Sequence, residues 1–379
     1  MSTFFLVVFF ITVILAIFLS FQFYYSLKIA KRWIRLAFVG LNILAATIFT
    51  VRMVFDYAIE QRFLALFGNI GYTWLFIAAY SALFFVIYLC VLYADKIFDF
   101  IPAKFKLQSG VMRFRGFIVY LVVISALIVV GKYNFRSIKI INLEKSAQTE
   151  LSQDYRVVFI SDVHIGDQIN LNDLERFTDK INSLNPDIVL IGGDLFDKRV
   201  KQLYDDGVGA KLGAISSKYG VYYIFGNHDY FGRRSDIIEK IATEANLIIL
   251  KDSIVAINDE LLLLGRDDQY QERSTGRKSI SSIVEGVDLE AFPFKIAVEH
   301  QPTTLDEAVD LGFDYLFAGH THNGQLFPFN LLVKLQYKYT YGHYKPTDKS
   351  DIFISSGLGI WGPLFRIGSR SEIIVLDVK

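Results

Sequence analysis

The stretch YRVVFISDVH, residues 155–164, places a run of apolar residues directly before an aspartate and a histidine. Its tyrosine, valine, isoleucine and phenylalanine residues are typical of a buried β-strand. DIVLIGGD at 187–194 and VYYIFGNHD at 221–229 repeat the arrangement. Ligands of open α/β sheets bind outside the carboxyl ends of the strands. We therefore expect one shared site for the polar residues that follow these strands: Asp162, His164, Asp194, Asn227, His228 and Asp229.

Two later stretches extend the same pattern toward the end of the chain. FKIAVEHQP at 294–302 carries His300, and DYLFAGHTHNGQ at 314–325 carries His320 and His322, so five of the six histidines follow predicted strands. Further strands are predicted at 261–264, 351–354 and 372–376, and helices at 171–184 and 235–245. Strands that alternate with helices indicate an α/β or mixed layered domain.

The set of polar residues at the strand ends is too large for one metal ion. A single ion is saturated by about four ligands, and the strand ends supply seven: Asp162, His164, Asp194, Asn227, His300, His320 and His322. Each motif alone could be an ordinary turn, but the ordered set predicts two divalent ions that share a carboxylate. Mixed nitrogen and oxygen ligands favour Mn, Fe or Zn over Mg, with Mn as the first choice.

The N-terminal third has a different composition. The chain is 53% hydrophobic with a mean hydropathy of +0.35, and the excess is concentrated in residues 1–132. About 20 apolar residues cross a bilayer, and four segments are long enough, at 4–26, 34–55, 70–93 and 116–132. A cleaved signal peptide is the weaker reading of the first segment, because no Lys or Arg precedes it. We predict a transmembrane domain at 1–132, a linker at 133–149 and a second domain at 150–379.

Charged residues in the short loops predict the orientation of the chain. The loops after the first and third segments carry most of the positive residues: Lys28, Lys31, Arg32, Arg35, Lys96, Lys104, Lys106, Arg113 and Arg115. Because positive loops face the cytoplasm, we expect a multi-pass plasma-membrane protein with its C-terminal domain outside. Lys132, Arg136 and Lys139 oppose this orientation. The zero net charge argues against a nucleic-acid partner.

The ordered motifs Asp-x-His, Gly-Asp, Gly-Asn-His-Asp, His and Gly-His-x-His resemble the calcineurin-like metallophosphoesterase superfamily. The resemblance covers about residues 150–379, and GHTHNGQ is similar to its bacterial membrane-associated branch, although Asn323 stands where that branch usually has glycine. It implies a four-layer α/β/β/α sandwich, here joined to an N-terminal four-helix transmembrane domain. It also implies a metal-dependent phosphoric ester hydrolase.

The resemblance assigns a role to each motif residue. It implies that Asp162, His164 and His322 bind the first ion, that Asn227, His300 and His320 bind the second, and that Asp194 bridges them. His228 would protonate the leaving oxygen, Asp229 would orient His228, and Asp197 is a further candidate partner. The implied reaction is attack on phosphorus by a hydroxide that bridges the metals.

The substrate is predicted less specifically. Arg366 could bind a substrate phosphate, since arginine suits phosphate oxygens, and His343 could contact the substrate. Residues 326–344, rich in Leu, Phe and Tyr, could face lipid or form a packed hairpin. We expect a phosphate ester or pyrophosphate of a lipid or cell-envelope compound. The alternatives are a UDP-2,3-diacylglucosamine-type pyrophosphatase of lipid A synthesis, a non-catalytic metal-binding sensor domain, and a transporter with a hydrolytic domain. The oligomeric state stays open.

Overall fold

The structure is a computed structural model that describes residues 3–54, 61–102, 110–231, 234–272 and 276–379. The chain forms two compact units. The first contains Met1–Val130 and Gly362–Leu364, and the second contains Gly131–Trp361 and Phe365–Lys379. Lys104 and Lys106, which contribute to the predicted orientation, lie outside the described residues, as does residue 55, the predicted end of the second apolar segment.

The N-terminal unit consists of long apolar helices, as the sequence predicts. They are α1 (Thr3–Ser26), α2 (Arg32–Val54), α3 (Gln61–Phe98) and α4 (Gly110–Arg136). All four are long and apolar enough to cross a membrane. The last two extend beyond the predicted segments at 70–93 and 116–132, because helical backbone hydrogen bonds continue past the point where the apolar residues stop.

A buried asparagine connects three of these helices. The Asn42 side-chain amide donates to the Ala16 carbonyl and to Ser20 Oγ, both at 2.8 Å. Its oxygen accepts a hydrogen bond of 2.9 Å from Trp74 Nε1. Polar side chains in apolar helices commonly hydrogen-bond across helices in this way. Asn42 therefore fixes how α1, α2 and α3 meet within this unit.

The C-terminal unit contains two six-stranded mixed sheets. Its strands are β1 (Lys139–Lys145), β2 (Tyr155–Ile160), β3 (Ile188–Gly192), β4 (Val221–Ile224), β5 (Leu247–Ile249), β6 (Ser253–Ile257), β7 (Leu261–Gly265), β8 (Phe294–Val298), β9 (Tyr315–Ala318), β10 (Gly342–Tyr344), β11 (Asp351–Ile354) and β12 (Glu372–Val378). The first sheet has the order β1-β12-β2-β3-β4-β5, and the second has the order β10-β11-β9-β8-β7-β6. Strands β2 to β5 are mutually parallel, as are β7, β8, β9 and β11.

The two sheets face each other across the main hydrophobic core. Phe159 of β2 and Phe317 of β9 stack there with ring centroids 4.6 Å apart, and both side chains are fully buried. Helices cover the outer faces of the sheets, and the apolar residues of β8, β9 and β11 that point outward pack with two of them. The helices of this unit are α5 (Leu171–Asn182), α6 (Val200–Asp205), α7 (Val208–Leu212), α8 (Asn227–Tyr230), α9 (Ser235–Glu244), α10 (Gln269–Glu272), α11 (Ile280–Ile283), α12 (Leu305–Asp310) and α13 (Phe329–Gln336). The predicted α/β/β/α sandwich is confirmed.

The segment 133–149, predicted as a linker, is structured. Helix α4 continues to Arg136, and β1 forms a parallel edge of the first sheet beside β12. The sequence KIINLEK gives a weak strand signal because this edge strand is mostly exposed or half-buried. Its partner in the sheet also lies more than 200 residues away along the chain, where a local pattern cannot reveal it.

Candidate dinuclear metal site

Seven polar side chains from both sheets meet at the carboxyl ends of the strands. Asp162 and His164 follow β2, Asp194 follows β3, and Asn227 begins α8 directly after β4. From the second sheet, His300 follows β8, and His320 and His322 follow β9. We call these seven residues the strand-end site. The parallel strands on both sides bring their ends to one edge, as the sequence predicts.

The first cluster of the site contains Asp162, His164 and His322. Nε2 of His164 lies 3.1 Å from Nε2 of His322, which lies 3.4 Å from Oδ1 of Asp162. Burial lowers the pKa of His164 to about 3 and holds the pKa of His322 well below its usual value. Both imidazoles are therefore neutral at pH 7, which is the form that binds metals.

The second cluster contains Asp194, His300 and His320. Nε2 of His300 lies 3.2 Å from Oδ2 of Asp194, and its Nδ1 donates to the Gly192 carbonyl at 2.8 Å. This backbone hydrogen bond fixes the tautomer and leaves Nε2 toward the site. Burial lowers the pKa of His320 to about 4.

Asp194 lies between the two clusters. Its Oδ2 is 3.2 Å from Nε2 of His300 and 3.7 Å from Nε2 of His164, and its Oδ1 accepts the His228 backbone N–H at 2.8 Å. Burial favours a raised pKa for Asp194, but the adjacent imidazoles, His300 above all, hold that pKa well below its usual range. Gly226 permits this approach, because a Cβ there would lie 2.2 Å from Oδ1 of Asp194.

The backbone around the site is held in an uncommon conformation. Asp162, His164, Asp194, His320 and His322 all have positive φ angles, between 49° and 68°. For residues other than glycine this region costs of order 1 kcal/mol or more each, and such residues cluster at functional sites. The positive φ angles turn the chain sharply after each strand and place the side chains at the same edge.

The atoms of the site fit bound divalent ions. Ligands that share an ion at about 2.1 Å lie about 3–3.5 Å from each other, and the His164–His322 and Asp162–His322 distances are 3.1 and 3.4 Å. Oδ1 of Asn227 is buried and has no hydrogen-bond partner within the described ranges. A buried amide oxygen without a partner is costly unless an ion or water binds it. Asn227, Asp194, His300 and His320 can thus surround a second ion.

His228 is positioned by a carboxylate from another loop. Its Nδ1 lies 2.9 Å from Oδ1 of Asp197, which leaves Nε2 available. Burial lowers the pKa of His228, but the hydrogen bond to Asp197 and the charges of Asp194 and Asp197 outweigh burial, so the net pKa is raised. Asp197, the minor candidate from sequence, therefore stabilises the protonated imidazole.

Asp229 does not orient His228, contrary to the sequence prediction. Its Oδ1 accepts the Phe196 N–H at 2.9 Å, and its Oδ2 accepts the Gly226 N–H at 2.8 Å. The first turn of α8 directs the Asp229 carboxylate back toward its own N-terminus. Burial raises the pKa of Asp229 to about 7. Asp229 instead ties the loops after β3 and β4 together.

Arg366 is a structural residue rather than a substrate ligand. Its side chain is fully buried, and Nη2 donates to the carbonyls of Gly357 at 3.1 Å and Gly359 at 2.6 Å. These carbonyls belong to an irregular loop that has no strand to satisfy them, so a long buried donor is needed. The same loop donates from the Gly359 N–H to the Asp162 carbonyl at 3.0 Å.

His343 also lies away from the strand-end site. It is part of β10, and its Nε2 lies 2.5 Å from Oδ1 of Asp351. Asp351 is the first residue of β11, which runs parallel to β9, so this pair is near the amino end of those strands. The structure therefore does not bring His343, predicted to contact the substrate, to the strand-end site.

Several neighbours of the site give no signal in the sequence. The Tyr337 hydroxyl lies 3.0 Å from Nε2 of His320. The rings of Phe231 and Trp361 lie 4.6 and 5.7 Å from that of His228, and both side chains are about half exposed. A lone aromatic residue in a loop resembles an ordinary surface residue. Only the fold brings these side chains to the site.

Comparisons with known proteins agree with this geometry. Residues 155–324, which include the whole strand-end site, match the calcineurin-like phosphoesterase family. An uncharacterized metallophosphoesterase of Campylobacter jejuni is 34% identical over 232 residues, 60% of each chain. A transmembrane protein with metallophosphoesterase domain from Danio rerio is 29% identical over 73% of this chain and 65% of its own length.

A solved dimetal phosphatase from Danio rerio is 14% identical, covering 53% of this chain and 86% of that one, at a TM-score of 0.34. The matches with the Campylobacter jejuni and Helicobacter pylori relatives span about 60% of the length of those relatives.

Proposed function

We propose that this chain is a membrane-anchored, metal-dependent phosphoesterase with two metal ions, since residues 155–324 match the calcineurin-like phosphoesterase family. The observation that carries the proposal is the position of Asp194. Its Oδ2 lies 3.2 Å from a histidine of one cluster and 3.7 Å from a histidine of the other, so one carboxylate can serve both ions. Two ions in such an arrangement stabilise the attacking and leaving oxygens of a phosphoryl transfer and activate water.

We assign the metal-binding and proton-donating roles to individual residues. Asp162, His164 and His322 would hold one ion, Asn227, His300 and His320 would hold the other, and Asp194 would serve both. His228 donates a proton from Nε2 to the leaving oxygen, because Asp197 holds its Nδ1 and keeps the imidazolium favourable. Mixed imidazole and carboxylate ligands favour Mn, Fe or Zn, and we propose Mn first.

The substrate we propose is a phosphate ester or pyrophosphate of a lipid or cell-envelope compound. Two features support it: the four helices that are apolar enough to cross a membrane, and the exposed Phe231 and Trp361 rings beside His228. Such rings can contact an apolar or planar leaving group. No nucleic-acid partner is proposed.

The activity is tested with the full chain in detergent, loaded separately with Mn, Fe and Zn. Mono- and bis-p-nitrophenyl phosphate and a panel of lipid phosphates serve as substrates, and metal content is measured on the same samples. We expect Asp194→Asn to abolish turnover and lower the metal content, whereas Asp205→Asn, an exposed control on α6, changes neither. Turnover that survives Asp194→Asn would contradict the bridging role. Full metal content without turnover on any substrate would favour a metal-binding sensor domain.

We also propose that the protein lies in the plasma membrane with its C-terminal domain outside the cytoplasm. The proposal rests on positive residues in the connection after α1 and in the first turns of α2 and α4, including Lys28, Arg35 and Arg113, because positive residues close to the ends of membrane spans favour the cytoplasmic side. Added protease should cleave the C-terminal domain in sealed spheroplasts. Protection that disappears only after permeabilisation would place the domain inside.

A further inference from the structure

Helix α13 is apolar but is not buried. Its sequence is FNLLVKLQ, and none of its eight residues is buried by the residues that the structure describes. Phe329, Leu331, Leu332 and Leu335 are 47%, 50%, 60% and 85% exposed. We call these four residues the α13 apolar face. Single exposed apolar residues are common, but a contiguous group on one short helix indicates a contact surface.

The α13 apolar face is attached directly to the strand-end site. The N-terminal turn of α13 packs on the turn His322–Gly324, where a Cβ on Gly324 would lie 2.2 Å from the Asn330 nitrogen. Gly324 also has a φ of +69°. At the other end, Tyr337 caps α13 and its hydroxyl lies 3.0 Å from Nε2 of His320. Both ends of α13 therefore contact residues next to candidate metal ligands.

The residues around this face are those found at membrane surfaces. Lys334 on α13 is exposed. Trp361, 52% exposed, is held close to Gln325, four residues before α13. Its backbone N–H donates to the Gln325 side-chain oxygen at 3.1 Å, and its backbone carbonyl accepts from the Gln325 side-chain nitrogen at 2.9 Å. Tryptophan and lysine favour the interface between lipid and water. An amphipathic helix with such neighbours lies in the plane of the interface.

Only a short connection separates the C-terminal domain from the candidate membrane spans. Helix α4, one of the four candidate membrane spans, ends at Arg136, and only Ser137 and Ile138 precede β1. A short tether gives the attached domain a high effective concentration of the membrane surface. We propose that the α13 apolar face inserts into the interfacial layer of the bilayer that holds the chain. The strand-end site, which contacts both ends of α13, then opens at the level of lipid headgroups.

The test uses the full chain in lipid nanodiscs of phosphatidylethanolamine and phosphatidylglycerol. Cys90 is the only cysteine, so Cys90→Ser permits a single nitroxide label at Leu335→Cys. Glu290→Cys, exposed just before the amino end of β8 and so opposite the strand-end site, is the matched control, and Leu332→Cys is a second position on α13 in case the first label disturbs folding. The collision rate of the nitroxide with oxygen, which concentrates in lipid, is compared with its collision rate with a water-soluble nickel complex.

We expect labels on α13 to favour oxygen over the nickel complex severalfold more than the label at position 290 does. Equal ratios at 332, 335 and 290 would place α13 in water and overturn the proposal. Protection from both reagents would show that protein covers the face, either this chain or a second copy, and would also overturn it. The measurement needs no turnover, so its failure is distinguishable from failure of the proposed phosphoesterase activity.

Discussion

The strand-end site and the α13 apolar face are separated by a few residues along the chain but are opposite in burial. Asp162 and His300 are fully buried although they are polar, whereas Leu335 is 85% exposed although it is apolar. A polar group is buried at low cost only when a partner replaces water, and an apolar group remains exposed at low cost only when something apolar covers it. In our proposals both regions have a partner that is not protein: metal ions at the strand-end site and lipid at the α13 apolar face.

The largest expected effect is on the strand-end site. His228→Ala removes the proposed proton donor, and general acid catalysis contributes about 10²–10⁴-fold, so kcat should fall by that factor. Metal content should be unchanged, because His228 is not one of the proposed ligands. Steady-state kinetics with bis-p-nitrophenyl phosphate measures the loss, and His343→Ala, a histidine bound to Asp351, is the control. Equal losses in both variants would contradict the assignment.

The next effect tests whether the buried side chain of Arg366 stabilises the C-terminal domain. Arg366→Met leaves the carbonyls of Gly357 and Gly359 without their donor, and we expect a loss of about 2–4 kcal/mol in the free energy of unfolding of this domain. Thermal unfolding of the full chain measures it. Arg156→Met is the control, because Arg156 forms a largely exposed ion pair with Asp377 and should cost less than about 1 kcal/mol. Wild-type stability in Arg366→Met would show that the buried arginine is dispensable.

A smaller effect is expected from Asp197, whose charge raises the pKa of His228 at the strand-end site. Asp197→Asn should reduce kcat about 10–100-fold, as is typical when the residue that orients a functional histidine is lost. Asp197 raises the pKa of His228, so its replacement lowers that pKa. The protonated form then disappears at lower pH, and the basic limb of the kcat profile should move toward acid. Loss of rate without this movement would assign Asp197 a role other than its effect on His228.

The smallest effect is expected on α13. Leu335→Ser should change turnover of a water-soluble p-nitrophenyl ester less than about twofold and stability by no more than about 0.5 kcal/mol, as for most surface substitutions. Leu190→Ser is the contrast, because Leu190 is buried between the sheets and a polar hydroxyl there should cost several kcal/mol. If both variants lose similar stability in thermal unfolding, the α13 apolar face is packed against protein.

The sequence predicts the strand-end site better than its surroundings for a physical reason. Metal ligands need particular residue types directly after buried strands, so each leaves a local pattern such as the DVH of 162–164 or the HTH of 320–322. The residue that orients His228 leaves no such local pattern in the sequence. Asp197 and Asp229 are both aspartates close to the motifs, and only the direction of the first turn of α8 decides that Asp197 reaches Nδ1.

The same reasoning explains the errors in the fold. All eight predicted strands are present because their residues are buried and apolar, whereas β1, β5, β6 and β10 lie at or beside sheet edges and are mostly less buried. Arg366 is chemically suited to phosphate, and its sequence neighbours do not reveal that a loop folds around it. Helix α13 lies in the segment 326–344, which the sequence predicts as lipid-facing or as a packed hairpin, because its eight residues are too few to show a clear helical period.

The position of β12 has a consequence for how the protein is made. This strand, Glu372–Val378, lies between β1 and β2 in the first sheet, although it is synthesised more than 200 residues after them. The first sheet therefore has a gap beside β2 until the ribosome has passed residue 378. The four apolar helices are complete long before that point. Membrane insertion can thus precede completion of the first sheet in the C-terminal domain, which closes only when β12 is added.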